Sequence, residues 1–120
     1  MNEELTGKII GCAMKVHRAL GPGFLESVYQ KALWHELRKA GLKVEIEKPI
    51  AVLYDGVLVG DFSADLLVEE QIIVELKAVK AIAPEHIAQV INYLKATGIK
   101  LGLLVNFGDY PKATVQRLVY

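Results

Sequence analysis

Ala64-Asp65-Leu66-Leu67-Val68-Glu69-Glu70-Gln71-Ile72-Ile73-Val74-Glu75-Leu76-Lys77, residues 64–77, is the stretch on which the reading of this chain turns. Two apolar runs flank the polar break Glu69-Glu70-Gln71, the pattern of two strands and a turn. Alternate residues of a strand share a face, so Ile72, Val74, Leu76 and Ala78 form one uninterrupted apolar face. The opposite face carries Ile73, Glu75, Lys77 and Val79. A carboxylate and an ammonium inside such a strand are costly to desolvate unless they are paired or meet a ligand. Register decides whether Asp65 joins them. A two-residue turn at Glu69-Glu70 pairs Asp65 with Val74 and puts the two carboxylates on opposite faces. An odd-length turn or a bulge sets Asp65 across from Glu75. The odd register is expected, because two carboxylates beside a lysine form a divalent-metal site. The competing account is an ordinary Glu–Lys pair on a solvated strand.

Outward from this stretch, the periodicity changes twice. Residues 4–20 repeat apolar positions at helical spacing (Leu5, Ile9, Cys12 or Ala13, Val16, Leu20), and Gly21-Pro22-Gly23 ends that helix. A second helix is predicted from Leu25 to Ala40, closed by Gly41. Val44 and Ile46 alternate with charged residues as a half-buried strand, which Pro49 breaks or confines to an edge. Asp55-Gly56 then joins Ile50–Tyr54 to Val57–Leu67 as a hairpin. A strand over Ile72–Val79 follows, then a helix from Pro84 to Gly98, a strand over Leu101–Asn106, and a short last strand from Thr114 to Tyr120. The expected order is α-α-β-β-β-β-α-β(-β): a single domain over residues 1–120, α/β in class, with helices against one mixed sheet.

Composition limits what such a domain can do. Its 120 residues include 14 Lys+Arg and 14 Asp+Glu, and 52% are hydrophobic, which excludes disorder and argues against a strongly basic nucleic-acid clamp. The one cysteine, Cys12, lies in an apolar stretch and reads as a core residue, so nothing suggests an oxidising compartment. An acidic opening without a basic segment is not a signal peptide, and no apolar run approaches the ~20 residues that cross a bilayer. A cytoplasmic location and no membrane partner are therefore expected, and a homodimer stays open.

Two further motifs bear on chemistry. Gly23-Phe24-Leu25-Glu26-Ser27-Val28-Tyr29 puts Glu26 in a first helical turn, where the helix dipole alone accounts for a carboxylate, and Tyr29 on the same face as a core aromatic. Gln89 and Tyr93, at i and i+4 with His86 a turn earlier, form a polar-aromatic stripe that also fits the edge of a core. His17, His35 and His86 lack zinc-ligand spacing. Trp34 and Tyr54 read as packing residues.

Taken together, the residues resemble a known family. Gly23-x-x-Glu26-x-x-Tyr29 is the naming motif of the GxxExxY proteins. Asp65-Leu66-Leu67-Val68, Ile73-Val74-Glu75-Leu76-Lys77, Gln89-x-x-x-Tyr93-Leu94 and Leu103-Leu104-Val105-Asn106-Phe107-Gly108 are similar to that family's other blocks, in order and over nearly the whole chain. The family is grouped with the PD-(D/E)xK nucleases. The resemblance implies a restriction-endonuclease-like αβββαβ core with an extra N-terminal helix. It implies Asp65 and Glu75 as metal-binding acids, Lys77 as the motif lysine and Glu26 as the helix carboxylate that completes the site. Gln89 and Tyr93 resemble the Gln-x-x-x-Tyr element of exonuclease-like members. The Pro of the motif's name is missing, since Ala64 precedes Asp65. The implied activity is Mg²⁺- or Mn²⁺-dependent phosphodiester hydrolysis, on DNA before RNA. The alternative is a nucleic-acid-binding or protein-interaction module that retains the fold without catalysis.

Overall fold

The computed structural model describes residues 2–120. Helices α1 (Glu3–Leu20) and α2 (Glu26–Lys39) precede strands β1 (Val44–Tyr54), β2 (Val57–Val68) and β3 (Ile72–Lys77), then α3 (Pro84–Thr97), β4 (Leu101–Asn106) and β5 (Thr114–Val119). The five strands form one mixed sheet in the order β1-β2-β3-β4-β5, with β3 and β4 parallel and the other neighbours antiparallel. The parallel pair requires a crossover, and α3 supplies it. This is the expected mixed α/β arrangement, consistent with a restriction-endonuclease-like fold.

One expectation is corrected. Val44–Ile46 and Ile50–Tyr54 are parts of a single strand, so three strands rather than four precede α3. Pro49 does not break β1, because β1 is an edge strand and a residue without an N–H is tolerated there. The strand after the turn ends at Lys77 rather than Val79, for a visible reason. Beyond Lys77 the buried Asn106 side chain takes over the pairing: its Oδ1 accepts from Val79 N–H (3.1 Å) and its Nδ2 donates to Val79 O (2.9 Å).

Helices cover both faces of the sheet. Leu5, Ile9, Ala13 and Val16 of α1 and Tyr29, Leu33 and Leu37 of α2 pack on Leu66, Val68, Val74 and Leu76. On the other face Tyr93 and Leu94 of α3 meet Ile50, Ala64, Leu67 and Ile73. Gly102 on β4 lets α3 sit close, since a Cβ there would come within 2.7 Å of Val90 Cγ1. The β1–β2 hairpin is longer than the rest of the sheet, 11 and 12 residues against six in each of β3, β4 and β5. Its tip is a two-residue turn with positive φ at Asp55 (55°) and Gly56 (78°), as the Asp-Gly pair requires. Tyr54, expected to pack, is 75% exposed there, because no other element reaches that far.

Tyr29 belongs to the core. Its ring is fully buried and stacks on Phe107 (centroids 4.5 Å apart, planes 8° apart). Its hydroxyl donates to Gly21 O (2.5 Å) and accepts from Phe24 N–H (3.1 Å), fixing the loop that leads into α2. Tyr29→Phe keeps the stack but strands both loop groups, and is expected to lower unfolding free energy by about 1–2 kcal/mol. Tyr29→Ala is expected to cost about 3–5 kcal/mol. Urea denaturation of the two variants against the parent protein measures both.

Candidate active site

The turn between β2 and β3 has three residues, Glu69-Glu70-Gln71, with positive φ at Glu69 (52°) and Glu70 (58°). It pairs Val68 with Ile72, Leu67 with Ile73 and Leu66 with Val74, the odd register, so the next facing residues are Asp65 and Glu75. There the backbone ladder stops and side chains replace it. Glu75 Oε1 accepts from Asp65 N–H at 2.8 Å, and Asp65 Oδ2 accepts from Leu76 N–H at 2.8 Å. Each carboxylate thus satisfies a backbone donor on the facing strand. That exchange holds both acids at one level of the sheet.

The same level is irregular on the other side of β2. The β1–β2 pairing skips Glu47 opposite Asp65, and Glu47 has φ 54°. Val44, Ile46, Leu66 and Val68 pack with α1 and α2, whereas Ile50 and Ala64, of the same parity, pack with α3. The hairpin therefore turns over at Glu47 and Asp65. Buried Gln30 of α2 bridges the irregularity, its Nε2 donating to Glu47 Oε1 (3.0 Å) and Asp65 O (3.2 Å). Ser63 Oγ donates to Glu47 Oε2 (3.1 Å). Sequence reading did not single out Glu47 or Gln30. Glu47 looked like one more polar residue of an alternating strand, and a positive φ at a non-glycine residue leaves no mark in sequence. Gln30, four residues after Glu26, carried the one available signal: a polar residue on the inner face of an otherwise apolar helix.

Glu75 is buried (3% exposed) and Asp65 half-buried. Burial, and after it the neighbouring Asp65 charge, push the Glu75 carboxyl up to about 8. Burial also raises Asp65, against the opposing pull of Leu76 N–H. Lys77, two residues along the same strand face, is half-buried, and its charge lowers both carboxyls. Its ammonium takes part in none of the ion pairs among the described residues. Tyr93 is buried in one cluster with Ala64, the residue before Asp65, and Ile73, two before Glu75, and Gln89 Nε2 donates to its hydroxyl (3.1 Å). Burial, then the Glu75 charge, raise the Tyr93 phenol. Glu26 stands apart: it is exposed in the first turn of α2, and among the described residues it does not gather with Asp65 and Glu75 into a group that could hold a metal ion. His86 closes the start of α3, its Nδ1 accepting from Ala83 N–H, and His17 is bonded to Asp109 O, so neither joins the site.

The donor set fits a hard divalent cation that keeps much of its water. Asp65 and Glu75 each commit one oxygen to a backbone N–H, which leaves Asp65 Oδ1 and Glu75 Oε2 without such a partner. Two carboxylates plus waters is an ordinary environment for Mg²⁺. Among the described residues no group of three His, Cys, Asp or Glu side chains is gathered tightly enough to hold an ion by protein ligands alone.

The raised Glu75 pKa has a definite consequence for stability. The unfolded chain releases this proton near 4.5 and the folded chain near 8, so between those values the folded state holds the extra proton. Stability is full below about 4.5 and falls as pH rises through 8; Asp65 acts in the same direction. Glu75→Gln keeps the acceptor for Asp65 N–H and removes the titration. It is expected to flatten the loss between pH 5 and 8 by a few kcal/mol, measured by urea unfolding across that range.

Among the described residues no helix is long and apolar enough to cross a membrane. No curated protein and no solved structure matches the chain. The family model of the PD-(D/E)XK nuclease superfamily, however, matches residues 3–118, from the start of α1 into the last strand, and the chain belongs to that superfamily.

Proposed function

We propose that this chain is a divalent-metal-dependent phosphodiesterase acting on nucleic acid, with DNA the first substrate to test, and that it belongs to the GxxExxY branch of its superfamily. The observation that carries the proposal is the reciprocal carboxylate–amide exchange of Asp65 and Glu75, with Lys77 on the same strand face. Asp65 and Glu75 hold the cation, Mg²⁺ or Mn²⁺. When bound, the ion supplies a Lewis acid at the phosphoryl oxygens and favours ionisation of water. Glu75 would give up its proton when the ion is held, because the divalent charge takes the place of the proton that burial and the neighbouring Asp65 charge otherwise retain. Lys77 balances charge that develops on the phosphoryl group or orients the attacking water. The Gln89–Tyr93 pair presents a buried hydroxyl at the edge of the site. Glu26, one turn before Gln30 on α2, is the further carboxylate nearest in sequence to the contact between that helix and Asp65.

Hydrolysis of single- and double-stranded DNA, with RNA as a parallel arm, is assayed with Mg²⁺ or Mn²⁺. Asp65→Ala, Glu75→Ala and Lys77→Ala are each expected to lower the rate about 10²-fold or more. Activity that survives all three substitutions overturns the assignment. Metal binding is read separately by thermal denaturation at pH 7. Mn²⁺ is expected to raise the melting temperature of the parent protein and to leave Asp65→Ala unmoved.

A second reading is favoured by one observation. Leu53, Tyr54, Val57, Leu58 and Val59 at the hairpin tip are all exposed, a cluster suited to protein contact. Under that reading the fold serves association, through a second copy or another protein, and no metal-dependent cleavage is found.

A further inference from the structure

Between the outer half of the β1–β2 hairpin and α3 lies an open cavity of about 860 Å³. Val52 and Phe62 line it from the hairpin, and Ala88, Gln89, Asn92 and Tyr93 from the helix. Phe62 is 50% exposed, and its ring sits 6.0 Å from that of Tyr93 with the planes 42° apart. The ring is folded back over Gly60, where a Cβ would come within 2.8 Å of Phe62 Cε2. These contacts cover one part of the ring and leave half of the residue open to the cavity. Small Ala88 keeps the floor open, and the Asn92 amide is exposed on the same wall.

The cavity and the carboxylate site have Tyr93 as a common neighbour. Tyr93, which lines it, packs on Ala64 and Ile73, the first beside Asp65 and the second sharing a strand face with Glu75. The formal charge of the chain is zero, so phosphate contacts alone provide little attraction for a polyanion. Stacking on aromatic side chains is the sequence-tolerant alternative.

We infer that this cavity receives an unpaired nucleobase, laid against Phe62 beside Tyr93 with its polar edge towards Asn92, while the adjoining phosphodiester lies at Asp65 and Glu75. A base inside a duplex cannot enter it, so the substrate class is single-stranded or frayed nucleic acid. Stacking is indifferent to base identity, and little sequence preference follows. The inference takes the location of the phosphodiester from the nuclease reading, but its test does not depend on turnover.

Binding is measured by fluorescence anisotropy at fixed salt, with Ca²⁺ replacing Mg²⁺. Two labelled strands of equal length are compared, one single-stranded DNA and one carrying abasic tetrahydrofuran sites throughout. The parent protein is expected to prefer the strand with bases about tenfold or more. In Phe62→Ala, which removes the platform, and Ala88→Trp, which fills the cavity, that preference is expected to fall below about threefold. Phe62 is half exposed, so its variant carries the test if Ala88→Trp does not fold. A parent preference near unity overturns the inference and returns the cavity to a protein partner or a second copy. So does a preference that persists in folded Phe62→Ala. Failure of the nuclease reading shows up elsewhere, as no Mg²⁺- or Mn²⁺-dependent cleavage by a protein that still prefers strands with bases.

Discussion

Where the β2–β3 ladder gives out, Asp65 and Glu75 each accept the backbone N–H that a strand carbonyl would otherwise take. The rest of the site depends on this exchange. Two buried donors are satisfied, so the strands can part without leaving orphaned amides. Two acids are also held face to face in a place with little water, an arrangement that would otherwise be destabilising. The three-residue turn at Glu69–Gln71 makes this possible, since its odd length brings Asp65 level with Glu75. The irregularity at Glu47 is the counterpart on the far side of β2. Together these breaks let the hairpin turn over and carry Phe62 towards α3.

Charge balance over the whole chain says little about this region. Equal numbers of acids and bases average to zero, yet Glu47, Asp65 and Glu75 stand at one level of three adjacent strands, with Lys77 the cation on their side. Local excess negative charge in a desolvated setting favours protonation or a bound cation. The raised Glu75 pKa is the first response, available to the chain alone. A bound divalent ion would be the second, and it would make the region attractive to phosphate although the formal sum is unchanged.

The Gly23–Tyr29 motif serves stability, and the helix it starts reaches the site one residue beyond its end. Tyr29 is held in the core by its stack on Phe107 and its bond to Gly21, and no reactive atom is within its reach. Glu26 faces solvent at the head of the same helix. Between them in role is Gln30, buried one turn after Glu26, whose amide ties α2 to Glu47 and to Asp65's carbonyl. The motif thus anchors the helix that braces the site, and its most direct contact comes from the residue just beyond its end.

Several features could be read directly from the sequence. Helical spacing in residues 4–20, the Asp55-Gly56 turn, and apolar alternation around Glu75 and Lys77 are local properties, and local properties survive folding unchanged. They determined the helices, the hairpin, the mixed sheet and which acids could come to face one another. The sequence also held the two alternatives for Asp65, since a turn of two or three residues is written the same way, Glu-Glu-Gln. Only the tertiary structure chose between them, through positive φ at Glu69 and Glu70 and the reciprocal bonds to Asp65 and Leu76. It alone merged the strands on either side of Pro49 at the sheet edge, recruited Glu47 and Gln30, and opened the cavity beside Phe62. Each of these depends on residues far apart in the chain meeting at one place, and such meetings are decided by packing and hydrogen-bond satisfaction across elements rather than by the pattern within any one of them.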